Sequence, residues 1–259
     1  VDYLEKMEEF NKCSVDAVYF IKKYCYIDGF DKGFIPLDLY SFQEDLILEY
    51  EQNDFNIVLK ARQLGITTIT IAYILHEVMF NSNVKVLFVA PNQGMVDCIV
   101  DKLRIMIRII QGKYPSWLPE KFEDGRDFIF YYGSSIKIIS DIGAMGVMDE
   151  EEKKKDLIVF DEFAFQNKNW ELWKKYKLLL EEDGKVIIYS TANPDKESLS
   201  GFFFQKLYQN DGEQGEYNFK PTKLIWDVHP EKDQKWFDNM VSFGMSCVDQ
   251  EYLCKWSNA

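Results

Sequence analysis

Apolar residues in this chain fall into short runs of two kinds, and their alternation predicts the fold. Phe55–Leu59, Lys85–Ala90, Leu157–Phe160 and Lys185–Tyr189 are near-continuous apolar runs of strand length, the pattern of strands buried on both faces. Phe42–Tyr50, Thr67–Met79, Met95–Gln111, Trp170–Leu180 and Leu199–Tyr208 read as the helices around them. Strands that alternate with helices are the signature of a parallel sheet covered on its faces. Residues 1–30 read as helical and amphipathic, with Tyr19, Phe20, Tyr24 and Tyr26 supplying apolar surface. Asp31–Leu39 is a loop marked by Gly33 and Pro36, and Tyr114–Lys121 is punctuated by prolines. Phe128–Ile139 predicts a hairpin around Gly133, Asp211–Gly215 a polar turn and Thr222–Asp227 a last strand. Lys235–Phe243 and Val248–Trp256 read as closing helices.

One strand-to-helix junction carries chemistry. A phosphate-binding loop reads Gly, four residues, Gly-Lys-Ser/Thr between a strand and a helix. Here Lys60 stands at the first glycine's place, Gly65 at the last glycine's and Thr67 at the hydroxyl's, while Ile66 replaces the lysine. Backbone N–H groups and a helix N-terminus neutralise only part of a triphosphate's charge. Lys60 and Arg62 are the cations within the loop that could supply the rest. The plain alternative is an ordinary turn and helix start.

A second signal follows the run Leu157–Phe160, where Asp161 and Glu162 stand side by side. A buried strand that ends in two carboxylates suits a magnesium-nucleotide hydrolase: the first holds the metal's shell and the second polarises the attacking water. A core strand leading into an acid-rich helix start would look similar. Third, Ser190, Thr191 and Asn193 end the next strand and would share a sheet edge with Asp161 and Glu162. Such a polar strand end can sense a γ-phosphate and pass the difference to a neighbouring segment.

Ala61-Arg-Gln-Leu-Gly-Ile-Thr-Thr68, Leu157-Ile-Val-Phe-Asp-Glu-Phe-Ala164 and Ser190-Thr-Ala-Asn-Pro194 together resemble the ATPase domain of tailed-phage large terminases. Tyr19–Ile27, Leu39–Gln43 and Tyr132–Ile136 extend the resemblance over roughly residues 19 to 256. It implies a RecA-like P-loop NTPase of the ASCE type, with a mostly parallel sheet and a small N-terminal helical lid element. The implied divisions are 1–50 for the N-terminal segment, 51–230 for the ATPase core and 231–259 for a C-terminal helical segment.

The resemblance also implies roles. Lys60 would contact the β- and γ-phosphates, Thr67 would ligate Mg2+ and Thr68 would meet the α-phosphate. Ala61, Gln63, Leu64, Gly65 and Ile66 would complete the nucleotide cradle, with Phe42 and Gln43 at the adenine. Asp161 would be the metal-side carboxylate, Glu162 the catalytic one and Arg62 a second catalytic group at the γ-phosphate. Ser190, Thr191 and Asn193 would couple hydrolysis to movement. ATP and magnesium are the implied cofactors, and double-stranded DNA, portal protein and small terminase the implied partners. The setting would be a ring of copies on a procapsid in the host-cell cytoplasm. One stretch departs from the family: Gly143-Ala-Met-Gly146 stands where an Arg-Gly pair is usual. A transition-state arginine must therefore come from Arg62, Arg104, Arg108 or Arg126.

Composition narrows the reading. An apolar fraction of 47% over 259 residues permits a large α/β core, and no run nears the roughly 20 apolar residues that span a membrane. Cys13, Cys25, Cys98, Cys247 and Cys254 show no metal spacing and read as reduced thiols of an intracellular protein. His76 and His229 read as a helix-face and a loop residue. No second apolar run ending in clustered carboxylates is read after Glu162, so no nuclease is expected of this chain. The net charge of −13 predicts weak DNA affinity. Lys153–Lys155, preceded by Asp149–Glu152, reads as a mixed-charge exposed loop. Two rivals remain: a degenerate nucleotide-binding or scaffolding module, and a helicase-like DNA-remodelling ATPase.

Overall fold

The computed structural model describes residues 3–114, 117, 127–130, 133–146, 154–209, 218–242 and 247–256. The buried apolar runs form a central sheet from β3 (Phe55–Lys60), β4 (Lys85–Ala90), β5 (Asp127–Ile129), β6 (Ser135–Ser140), β7 (Lys155–Asp161), β8 (Leu180–Ser190) and β9 (Lys220–Leu224), with β1 (Tyr26–Asp28) and β2 (Phe34–Pro36) apart. Among the described residues its order is β5-β6-β4-β7-β8-β3-β9. All neighbours run parallel except β5, which returns antiparallel on β6 as the hairpin reading expected. One strand, β8, lies between β3 and β7, so the loop after β3 and the carboxylates after β7 flank the end of β8.

Helix α4 (Ile66–Phe80) runs beneath this edge, with Ile69, Ile71, Ala72, Ile74 and Leu75 fully buried. A helix buried nearly all round belongs inside a layered core. It is covered by α1 (Tyr3–Val15), α2 (Ala17–Tyr24) and α3 (Ser41–Gln52). His76 caps the contact by bonding through Nε2 to the Cys13 carbonyl at 2.9 Å. Helix α5 (Gln93–Lys113) covers the sheet beside α4 with Val96, Ile99, Leu103 and Met106 buried. The remaining helices are α6 (Asp141–Gly146), α7 (Asn169–Lys177), α8 (Leu199–Tyr208), α9 (Gln234–Ser242) and α10 (Val248–Glu251). None among the described residues is long and apolar enough to cross a membrane.

Several boundaries differ from the sequence reading. The helical reading of 1–30 stops at Tyr24: Tyr26–Asp28 pairs antiparallel with Phe34–Pro36. Gly29 N–H donates to the Gly33 carbonyl at 2.8 Å, and Gly33 takes φ +67°, a turn that side-chain-bearing residues disfavour. Leu180 begins β8 rather than ending a helix, because α7 closes at Lys177. Thr222–Asp227 is strand only to Leu224, followed by a 3-10 turn at Trp226–Val228. The helix expected over Val248–Trp256 ends at Glu251, and Tyr252 instead offers its carbonyl to Trp226 N–H at 3.1 Å. Helix α6 was not anticipated; the Asp141 carboxylate caps it by accepting from Ile142 N–H. The Asp211–Gly215 turn, Arg126, Lys153 and most of Tyr114–Lys121 lie outside the described residues.

Candidate functional site

The parallel register delivers the chemistry to one edge. Leu59 sits opposite Ser190, and Asp161 opposite Tyr189, so Lys60, Glu162, Ser190 and Thr191 emerge together at the strand ends. The loop after β3 turns through two left-handed residues, Gln63 (φ 59°) and Gly65 (φ +73°). The positive φ favours glycine at Gly65, where a Cβ would stand 2.7 Å from Gln43 Nε2 and push that amide aside. Loop and strand are anchored by Ala61 N–H, which donates to the Leu224 carbonyl at 2.7 Å.

These residues border a cleft of about 550 Å³. Lys60, the stretch Arg62–Thr68, Glu162 and Thr191 line it, with Asn92 and Met95 from the start of α5. At its inner end Lys60 Nζ donates to Glu162 Oε1 at 2.5 Å. The other carboxylate oxygen of Glu162 accepts from Ser190 Oγ (3.2 Å) and Thr191 N–H (3.1 Å). Glu162 itself is left-handed (φ 47°, ψ 49°), a conformation that side-chain-bearing residues rarely adopt and that is found at functional sites.

The two neighbouring carboxyls are pushed apart. Burial, then the Glu162 charge, raises Asp161 to about 7, with Lys60 and Thr67 pulling against them. Burial also acts upward on Glu162, but the Lys60 ammonium and the Thr191 and Ser190 donors outweigh it and hold it below the usual range. Thr67 Oγ1 lies 3.4 Å and 3.5 Å from the two Asp161 oxygens. A hydroxyl facing a buried carboxylate is a hard oxygen donor set, so these residues fit a magnesium ion.

Other expected residues take partners apart from the Lys60–Glu162 contact. Arg62 turns away from the cleft's inner end: its Nη2 is 3.0 Å from Glu251 Oε1, and its N–H donates to the Glu251 carbonyl at 2.9 Å. Gln43 is a strut rather than a cleft-lining residue. Its Nε2 donates to the Leu64 carbonyl at 2.9 Å, and its Oε1 accepts from Tyr40 N–H at 3.1 Å. Phe42 is buried and stacked on Tyr40 (5.9 Å), beside His229. Asn193 reaches the Ala164 carbonyl (2.8 Å) and Ser198 Oγ (3.0 Å), tying the end of β8 to the cap of α8. Ile66, at the lysine's place, is 2% exposed.

The sequence reading missed two cations that touch the loop. Lys232 Nζ donates to the Arg62 and Gln63 carbonyls (3.1 and 3.3 Å), and burial lowers its pKa. Lys102 Nζ donates to Thr68 Oγ1 at 3.0 Å. Both come from far along the chain, and no local pattern marks them.

No protein-family model matches the chain. Among solved structures it is similar to the ATPase domain of the Thermus phage P74-26 large terminase, with TM-score 0.62 and 14% identity over 81% of this chain and 92% of that one. The bacteriophage HK97 large terminase gives TM-score 0.64 and 14% identity, covering 92% of this chain and 50% of that one. A large terminase from a thermophilic bacteriophage, in complex with ADP, gives 0.61 and 10%, covering 84% and 54%. This chain thus spans about half the length of the latter two terminases. The sheet order, the loop and the likeness agree on the fold: the chain has the RecA-like fold of phage large-terminase ATPase domains.

Proposed function

We propose that this chain is a magnesium-dependent ATPase of the large-terminase motor type, driving double-stranded viral DNA into a procapsid. One observation carries the reading. A buried lysine, a strained glutamate and the polar end of the strand between them meet at 2.5–3.2 Å on the wall of a cleft. In the proposed reaction Lys60 leaves Glu162 for the β- and γ-phosphates. The freed Glu162 carboxylate then orients a water for in-line attack. Ser190 Oγ and Thr191 N–H keep that carboxylate aimed, while Thr67 and Asp161 would hold magnesium. The metal, when bound, supplies charge neutralisation at the phosphate oxygens. A ring of copies working with portal protein and small terminase in the host-cell cytoplasm belongs to the same proposal.

Single-turnover hydrolysis and nucleotide binding test it together. Lys60→Ala should abolish measurable turnover. Glu162→Ala should cut turnover by roughly a hundredfold or more while ATP still binds. A wild-type chain that binds ATP but never turns it over would favour the scaffolding module. Hydrolysis that survives Lys60→Ala would refute the assignment of the displaced lysine.

A further inference from the structure

Building on the ATP-binding reading, we infer that Lys102 is a second phosphate-binding cation, delivered by α5 to Thr68 on the cleft wall rather than to Glu162. The loop is short of positive charge. Ile66 stands where a lysine is usual, Arg62 is committed to Glu251, and Lys60 faces Glu162. Lys102 meets the loop from outside: its ammonium lies 3.0 Å from the hydroxyl of Thr68, which lines the cleft. It follows Met95, another cleft-lining residue, by seven positions, so both share one face of α5.

The bonding of that ammonium is incomplete. Among the described residues Lys102 makes no ion pair, and its one hydrogen bond goes to a neutral hydroxyl. An ammonium carries three donors, so the remaining donors are available to an anion beside Thr68. In a chain with 43 acidic residues against 30 basic ones, a half-buried lysine without a carboxylate partner stands out. Position along the phosphate chain follows from the different residues that the two lysines touch. Lys60 stands with Glu162 and Thr191 at the hydrolytic end. Lys102 stands at Thr68, one residue beyond the hydroxyl that faces Asp161. Its anion is therefore the part of the phosphate chain that ADP and ATP share.

The test measures ADP and ATP affinity for wild type, Lys102→Met and Lys102→Arg at low and moderate salt, with thermal unfolding alongside. Lys102→Met keeps the apolar stem and removes the charge. It should weaken ADP and ATP binding equally, by about tenfold, in line with a lost charge-assisted hydrogen bond. Added salt should narrow that gap, because the site is open to solvent. Lys102→Arg should recover most of the loss. Unchanged affinity in Lys102→Met overturns the inference. So does a loss confined to ATP, which would move the residue to the γ-phosphate, or an arginine variant as weak as the methionine one. A wild-type chain that binds neither nucleotide would sink the ATPase reading itself.

Discussion

Asp161 and Glu162 are chain neighbours that the fold treats in opposite ways. Asp161 is fully buried and raised to about 7, while Glu162 is held low by Lys60 and by donors from the end of β8. Paired carboxyls pushed apart in this way commonly divide roles in a reacting site. The raised group also has a thermodynamic signature. A folded-state pKa above the unfolded value of 3.8 means that the native state binds more protons between about 4 and 7. The associated stability is present below about 4 and is lost as pH rises through about 7. Asp161→Asn removes that loss, so the variant should melt above wild type at pH 8, with the gap shrinking toward pH 5. Thermal unfolding across that range checks it; a gap that stays the same from pH 8 to pH 5 would show that Asp161 is ionised throughout. The pair itself stood out in the sequence because a strand–loop–helix pattern with Lys60, Gly65 and Thr67 precedes it; alone, it would also read as a core strand before an acid-rich helix start. What the sequence withheld was Lys60 reaching Glu162 across 102 positions, and Lys102 reaching Thr68 across 34. Those contacts depend on how elements pack, which no local pattern encodes.

Elements show the same division. Strands buried on both faces and the helix α4 were readable because apolar runs of those lengths have one comfortable home. The hairpin at Tyr26–Pro36 and the early start of β8 at Leu180 were not, since their residues carry mixed patterns and owe their pairing to tertiary context. Resemblance placed Gln43 near the adenine; the structure shows what it does within the fold. From the first turn of α3 its amide joins the Tyr40 backbone to the Leu64 carbonyl, just before the glycine that turns the loop. It therefore splints α3 to the loop after β3. Gln43→Ala would leave the Leu64 carbonyl without that donor, at a cost of about 1–3 kcal/mol for a buried acceptor left unpaired. A lower melting temperature should accompany weaker ATP binding. A variant with wild-type stability and lost binding would instead place the amide on the nucleotide.

At the scale of the whole molecule the governing quantity is charge. With a net charge of −13, the chain presents a repulsive field to any polyanion. Non-specific duplex binding draws on phosphate contacts and the counterions they release, with each contact adding about 0.9 to the slope of log affinity against log salt. Many of the described lysines already have other business: Lys60, Lys22, Lys23 and Lys255 pair with carboxylates, and Lys232 bonds loop carbonyls. Acidic residues outnumber basic ones 43 to 30, so a single copy should bind duplex DNA weakly, no tighter than about 10⁻⁴ M at physiological salt. Titration of labelled duplex from low to moderate ionic strength measures both the affinity and the slope. Tight binding that persists at about 0.15 M salt, with a slope of several units, would mean that a basic track exists despite the global charge. A shallow slope and weak affinity would instead assign DNA contact to the assembled motor. In the proposed ring, copies around a lumen would combine small basic patches that one acidic chain cannot use alone, and nucleotide state would decide when those patches face the duplex.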